Sequence, residues 1–446
     1  MLDNWNDNAL IYHIYPIGAL GAPRTNDGKE ESHRILKIID MIPHIKELGF
    51  NAVLIGPVFE SESHGYDTVD YLKIDSRLGT NMDFREVCMK LHESGIKVIL
   101  DAVFNHAGRN FPPFVDVRRN LHNSPYCDWF ENLNFDGRSP MGDPFSYEGW
   151  NGCYNLVKFN LKNWHICDRL IEAVRLWLDM FDIDGLRLDA ADCLNMNFIE
   201  RLKRETSGIK HDFWLMAEII HGDYNRWAHE GAADSVTNYE CFKGIWSSHN
   251  DKNYFEIAHS INRQSGAGGI YSAINLYTFV DNHDVSRIAS VLKDKKDLKN
   301  CYTLLYGMPG IPSVYYGSEY GIEAVKTVGC DDNLRPEFTP DRWEEEYGTE
   351  LLSHLRDLGR VYSQLPALRR GSYCPMVISN RQFVFARDLD GKRAFVILNC
   401  DDNEADVTFH AEGSVKYDLY LGNCNIRRDG NNMTVTIPAH EGAIIA

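Results

Sequence analysis

Short apolar runs alternate along this chain with stretches whose apolar residues recur at helical spacing. Residues 10–15 read as a strand. Residues 32–48 carry Ile35, Ile38, Ile39, Ile42, Ile45 and Leu48 on one helical face and stop at Gly49. Residues 51–58 (NAVLIGPV) read as a buried strand. A helix over 80–94 opens with the T-x-x-D box of Thr80 and Asp83 and ends at Gly95. Residues 96–103 (IKVILDAV) form the next strand, and 164–181 a long helix. Strand 185–190 (GLRLDA) is followed by helix 198–204. Residues 213–219 (FWLMAEI), 274–280 and 311–316 (IPSVYY) read as strands, and 299–306 as a helix.

Strand and helix alternate about eight times over roughly 350 residues, which predicts parallel βα units and an α/β fold. Two closures compete, a doubly wound open sheet and a (β/α)8 barrel. No G-x-G-x-x-G and no P-loop occupies a first βα turn, and the strand count favours the barrel. Two segments break the rhythm. Residues 105–160 are rich in Asn, Asp, Gly, Pro and aromatics, and read as a small insert domain after strand 3. From about Gly371 the pattern switches to period two (FVFARD, RAFVILN, DVTFH, MTVTIP) with turns at DLDG, GNCN and RDGNN. The expected division is a barrel from 1–104 and 161–368, an insert domain B from 105–160, and a C-terminal antiparallel β-sandwich from 369–446.

The chain has 446 residues, 44% hydrophobic and 25% charged, as expected of a globular protein with large cores. Lys and Arg total 46 against 64 Asp and Glu, a formal charge of −18. Such a chain is a poor grip for phosphate backbones or anionic lipid, so neither nucleic acid nor membrane is an expected partner. Neutral ligands or cations fit better, and the 22 Tyr, 21 Phe and 9 Trp suit stacking on flat, uncharged ligands as well as filling a core. The start, MLDNWNDNAL, shows neither a basic region nor an apolar one of the secretory kind. No run approaches the roughly 18 apolar residues of a membrane span. The 11 Cys lack C-x-x-C spacing, and Cys88, Cys167 and Cys301 fall in periodic segments, as reduced core thiols do. A cytoplasmic protein is expected; oligomeric state is not legible.

In a (β/α)8 barrel, polar residues at the C-terminal ends of strands converge on one pocket. Asp101 follows KVIL; Arg187 and Asp189 stand two apart in GLRLDA, on one face; Glu218 ends LMAE; His283 and Asp284 end FVDNHD. Each alone is ordinary: a helix cap, a local ion pair, a satisfied buried acid, a surface His. Acids at several successive strand ends are less so, because gathering like charges in a pocket is costly without a function. Carboxylates with an Arg and two His suit glycoside hydrolysis, in which one carboxylate attacks and one carboxyl donates a proton. A zinc hydrolase competes through His106, His283 and the Asp residues, though neither H-x-x-x-H nor H-E-x-x-H occurs.

These motifs resemble the α-amylase family, glycoside hydrolase family thirteen, over nearly the whole chain. DAVFNH (101–106), GLRLDAAD (185–192), AEII (217–220) and FVDNHD (279–284) resemble its regions at strands 3, 4, 5 and 7. Residues 49–61, 64–71 (HGYDTVDY) and 307–319 (GMPGIPSVYYGSE) resemble further segments. The resemblance implies that Asp189 is the nucleophile, Glu218 the general acid and base, and Asp284 the residue that binds hydroxyls and helps distort the ring. It implies that Arg187 orients Asp189, that His106 and His283 bind the same sugar, and that Tyr66 stacks on it. Asp101 and Asn105 would brace the site, and Asn105 would be a calcium contact; no other cofactor is implied. Where many amylases carry Lys-His after the nucleophile motif, this chain has Asp192-Cys193. Residues 155–160 (NLVKFN) loosely resemble the M-P-K-L-N motif of the neopullulanase, cyclomaltodextrinase and maltogenic amylase group, but that group's N-terminal module is missing, since the first strand starts near Leu10. Asp332-x-x-Arg335-Pro336 resembles a segment after strand 8 of the same group, with Arg335 toward the second sugar or else in a solvated loop with one ion pair.

The expectation is a retaining α-glucoside hydrolase acting on maltodextrins, with three acids around one glucose ring. A transglycosylase or glucosyl isomerase of the same architecture is the alternative, and a non-catalytic carbohydrate-binding barrel the remote one. Linkage, chain length, endo or exo attack and calcium dependence are not legible.

Overall fold

A computed structural model describes residues 4–28, 32–329, 331–413 and 415–446. Eight short parallel strands form one sheet: β1 (Ile11–Ile14), β2 (Ala52–Ile55), β3 (Lys97–Ala102), β4 (Gly185–Leu188), β5 (Trp214–Ala217), β6 (Ser235–Val236), β7 (Tyr277–Phe279) and β8 (Ile311–Tyr315). In hydrogen-bonded order they run β6-β5-β4-β3-β2-β1-β8-β7. A parallel bridge joins Thr237, the residue after β6, to Tyr277 at the start of β7, so the barrel is nearly closed. Almost every strand residue is buried, the pattern of parallel strands covered on both faces.

Two compact units divide the chain. One comprises Ile14–Pro43 and Ala52–Val236. It holds β2 to β6 and helices α1 (Asn81–Glu93), α2 (Trp164–Phe181) and α3 (Met196–Ile209). α1 starts where the sequence expects: Asp83 N–H donates to Thr80 Oγ1 at 3.1 Å, and Thr80 N–H to Asp83 Oδ2 at 2.8 Å. α2 buries Ile166, Leu170, Ile171, Val174, Trp177, Leu178 and Phe181, a stripe at helical spacing. After β3 the chain leaves the barrel and builds a three-stranded antiparallel sheet from His106–Gly108, Cys153–Lys158 and Gly149–Trp150.

The other unit takes the chain through His13, His44–Asn51 and Thr237–Ala446. It contains β7, β8, α4 (Tyr239–Asn250), α5 (Phe255–Ser265), α6 (Leu298–Gly307) and α7 (Glu350–Gln364). Its last part is antiparallel: β9 (Ser372–Ile378), β10 (Gln382–Leu389), β11 (Lys392–Asn399), β12 (Ala405–His410), β13 (Leu419–Leu421), β14 (Asn425–Asp429), β15 (Asn432–Ile437) and β16 (Glu441–Ile445). The sheets are ordered β9-β10-β11-β16-β13 and β12-β15-β14. Alternate residues turn inward, so Val384, Ala386, Phe395, Ile397, Val407, Phe409, Met433 and Val435 share one core.

β6, α4 and α5 have no counterpart in the sequence reading. β6 is two residues long and carries no apolar run. Cys88, Cys167 and Cys301 are buried free thiols, as expected. No described helix is long and apolar enough to cross a membrane.

Candidate active site

Asp101 lies near the C-terminal end of β3, opposite Arg187 in the register of β4. Asp189 and Glu218 are the residues just after β4 and β5. Each keeps one more rung of the ladder: Asp189 N–H donates to Ala102 O at 3.1 Å, and Glu218 N–H to Leu188 O at 3.0 Å. The ends of three adjacent strands therefore present four charged side chains together.

Arg187 holds them. Its Nη1 lies 2.7 and 2.6 Å from the two oxygens of Asp101 and 3.3 Å from Asp189 Oδ1. Its Nη2 lies 2.5 Å from Glu218 Oε1. Arg187 is 3% exposed, Asp101 1%, and Asp189 and Glu218 8% each, so the interactions are little screened. Burial works against the guanidinium charge, but Asp101 and Glu218, then Tyr66 and Asp189, push the Arg187 pKa well above its ordinary value. Three carboxylates around one permanent cation leave an excess of negative charge, which a proton or an electron-poor substrate carbon can relieve.

Glu218 has a second anchor. Ala190 N–H donates to its Oε2 at 3.0 Å. Ala190 sits in the left-handed region (φ 45°), which is uncommon for a residue with a Cβ. That turn directs its N–H at the carboxylate of the neighbouring strand. Tyr66 OH donates to Asp101 Oδ2 at 2.9 Å. Tyr71 OH reaches Val103 O at 2.8 Å and His106 O at 3.1 Å, bracing the segment beyond β3.

His106 is buried, and Asn105 Nδ2 donates to its Nδ1 at 3.1 Å. The ring proton therefore resides on Nε2, which is buried without a partner. Burial, with His64 nearby, pushes the His106 pKa down to about 4, so the ring is neutral near pH 7. It offers an N–H to a hydroxyl without adding charge. Asn105, the expected calcium contact, spends only its amide nitrogen on the imidazole, and that bond does not engage its carbonyl oxygen, the atom calcium takes. Among the described residues, the side chains of Asp294, Asp402 and His440 could hold a metal together.

The remaining expected residues lie in the other unit. His283 Nε2 is 3.0 Å from Asp284 Oδ2. Arg335 Nη2 is 3.0 Å from Asp284 Oδ1 and 3.4 Å from Asp331 Oδ2, and its Nε donates to His283 O at 3.1 Å. Arg335 is thus tied to Asp284, an ion pair that either reading of the segment allows. Asn282 Oδ1 accepts from Asp284 N–H at 2.8 Å. The His283 ring stands 5.1 Å from that of His13 at 83°.

Ala190, Tyr71 and Asn282 have no place in the sequence reading. An Ala gives no signal of positive φ, and Tyr71 differs in no way from a core tyrosine. Asn282 could have been found: Asx two residues before a chain reversal commonly caps its own backbone.

Eight parallel strands, with acidic side chains gathered at the C-terminal ends of β3, β4 and β5, define the barrel and its charged cluster. Residues 27–357 match the family model for the alpha amylase catalytic domain. The chain belongs to the α-amylase family of glycoside hydrolases. It is 31% identical over 425 residues to a maltogenic alpha-amylase of Bacillus acidopullulyticus, across 90% of this chain and 71% of that one. A cyclomaltodextrinase of Thermoanaerobacter pseudethanolicus is 28% identical across 96% of this chain and 76% of its own. Among solved structures, the cyclic alpha-maltosyl-(1→6)-maltose hydrolase of Arthrobacter globiformis, in complex with maltose, superposes with a TM-score of 0.83 at 26% identity, covering 100% of both chains.

Proposed function

We propose that this enzyme hydrolyses α-glucosidic bonds in maltodextrins or related α-glucans and retains the anomeric configuration. The carrying observation is the sharing of Arg187 by Asp189 and Glu218. In the first step the Asp189 carboxylate attacks the anomeric carbon. Glu218 gives its proton to the glycosidic oxygen, the bond between that oxygen and the carbon breaks, and a β-glycosyl ester remains. In the second step Glu218 takes a proton from water, the hydroxyl attacks the same carbon, and Asp189 leaves. Arg187 keeps Asp189 ionised and in place. Asp284, His283 and His106 bind hydroxyls of the sugar in transit, Tyr66 stacks on it, Asp101 braces Arg187, and Arg335 steadies Asp284. The neutral His106 and the acidic chain suit an uncharged oligosaccharide.

The ten described cysteines are all free thiols, which supports a reducing, cytoplasmic compartment. The period-two strands after residue 368 support a C-terminal β domain, and the sheet that starts at His106 supports an insert spanning 105–160.

The test is proton NMR of maltotriose hydrolysis. The first-formed new reducing end is expected as the α anomer, and an initial β anomer contradicts the ester. Longer oligosaccharides appearing early would make transfer the main reaction instead. Binding of maltotriose without turnover would leave a carbohydrate-binding barrel.

A further inference from the structure

Arg287 follows Asp284 closely in the chain and is wholly buried. A buried cation is costly, and this one is spent on fixing backbone. Among the described residues, its terminal nitrogens meet oxygens that carry no charge. Nη1 donates to Tyr316 O at 2.7 Å and to Ser318 Oγ at 2.8 Å, and Nη2 donates to Leu334 O at 2.8 Å. The balancing charge is one link away: Ser318 Oγ donates to the buried carboxylate of Asp281 at 2.8 Å. The guanidinium also lies 4.1 Å from the centre of the Tyr315 ring, and the Tyr315 hydroxyl donates to the same Leu334 O at 3.2 Å.

These bonds converge on the carbonyl of Leu334. Leu334 is buried and ends the short helical turn Asp332–Leu334. The next residue is Arg335, whose guanidinium holds the Asp284 carboxylate and the His283 carbonyl. Asp284 itself lies beyond the end of β7 at Phe279, so strand pairing does not place it. A relay does: Arg287 to Leu334, Leu334 to Arg335 along the chain, and Arg335 to Asp284. All of these residues belong to the unit that holds β7 and β8.

We propose that Arg287 is a positioning residue for substrate binding, which sets the Asp284 carboxylate by fixing the backbone beneath Arg335. Its planar fork can hold Leu334 O with one nitrogen while the other is fastened to Tyr316 and Ser318, which a single ammonium cannot match. A group that binds sugar hydroxyls has to stand within a fraction of an ångström of its place, and that precision comes from the contacts behind it. The inference rests on the reading of Asp284 as a hydroxyl-binding residue and names what holds it.

The test is steady-state kinetics on maltotriose. R287M is expected to raise KM by about three- to tenfold, and R287K by less. A merely structural loss has a different signature, because fewer folded molecules lower the apparent kcat and leave KM alone. Arg387 gives the matched control: it is equally buried, and its donors go to Gly307 O and Gly371 O. R387M is expected to lower the melting temperature at an unchanged KM. Because Arg287 acts through Arg335, the double variant R287M/R335A is expected to show the KM of R335A alone, within about twofold. Should R287M fail to fold, R287K and Y315F, which removes the second donor to Leu334 O, carry the same comparison with R335A. An unchanged KM in the Arg287 variants beside a raised one in R335A would overturn the proposal and leave the reading of Asp284 standing. So would KM effects that multiply in the double variant. An unchanged KM in R335A itself, or a parent that does not turn over maltotriose, ends that reading and the relay with it.

Discussion

Arg187 Nη2 stands 2.5 Å from Glu218 Oε1, while its other terminal nitrogen contacts Asp101 and Asp189. One guanidinium thus spans the proposed acid and the proposed nucleophile. For Glu218 to donate a proton, its Oε1 has to give up that contact when substrate enters.

The carboxylates themselves come first. E218Q and D189N keep size and polarity but remove proton transfer and nucleophile. Each is expected to lower kcat on maltotriose by about 100-fold to 10,000-fold or more, with an unchanged melting temperature. Undiminished turnover in either variant would end the mechanism.

Removing Arg187 has a different signature. R187L leaves three buried carboxylates without their cation, which typically costs about 3–5 kcal/mol. Urea unfolding at neutral pH measures that loss. It is expected to shrink as pH is lowered, because acid neutralises the carboxylates. A variant as stable as the parent would show that the cluster is solvated.

Arg335 is a test of positioning. Asp284 is about one-third exposed, so its pair with Arg335 is worth roughly 0–1 kcal/mol in stability. R335A is expected to leave the melting temperature nearly unchanged, and to raise KM for maltotriose by about three- to tenfold as Asp284 loses its anchor. An unaltered KM would remove Arg335 from the site.

His354 gives a pH dependence. Burial, with Lys299 nearby, pushes its pKa down to about 4, and its Nε2 lies 3.0 Å from Thr303 Oγ1. The unfolded value is about 6.5. The folded state therefore holds the neutral ring. Its contribution is complete above about pH 6.5 and is lost as pH falls through 6.5 toward 4, because only the unfolded chain takes up the proton there. The buried His106 and His249 act in the same direction. Urea midpoints from pH 7 to 4 should fall, and H354Q should flatten part of that slope; an identical slope would assign the loss elsewhere.

Chelation is the last. Among the described residues the one group of His, Cys, Asp and Glu side chains that could hold a metal is Asp294, Asp402 and His440, none of them beside Asn105 in the chain, so dialysis against EDTA is expected to leave turnover of maltotriose unchanged. Activity lost to EDTA and restored by calcium would place the ion near Asn105 after all.

The order of elements was legible along the chain because each strand of a covered parallel sheet is a short apolar run and each helix carries a stripe. Thr80, Asp83 and the Ile166 to Phe181 stripe announce themselves by spacing alone. Asp101, Arg187, Asp189 and Glu218 could be marked as strand-end residues by the same logic. β6 could not, since two residues hold no period.

What tertiary structure alone decided is which atom meets which. The sharing of Arg187 with Asp101 and Glu218, the left-handed Ala190 that turns its N–H to Glu218 and the placing of Trp150 against His106 all join residues distant in sequence. Periodicity records which face a side chain takes. It holds no record of distance between strands, and chemistry here depends on ångströms across β3, β4 and β5.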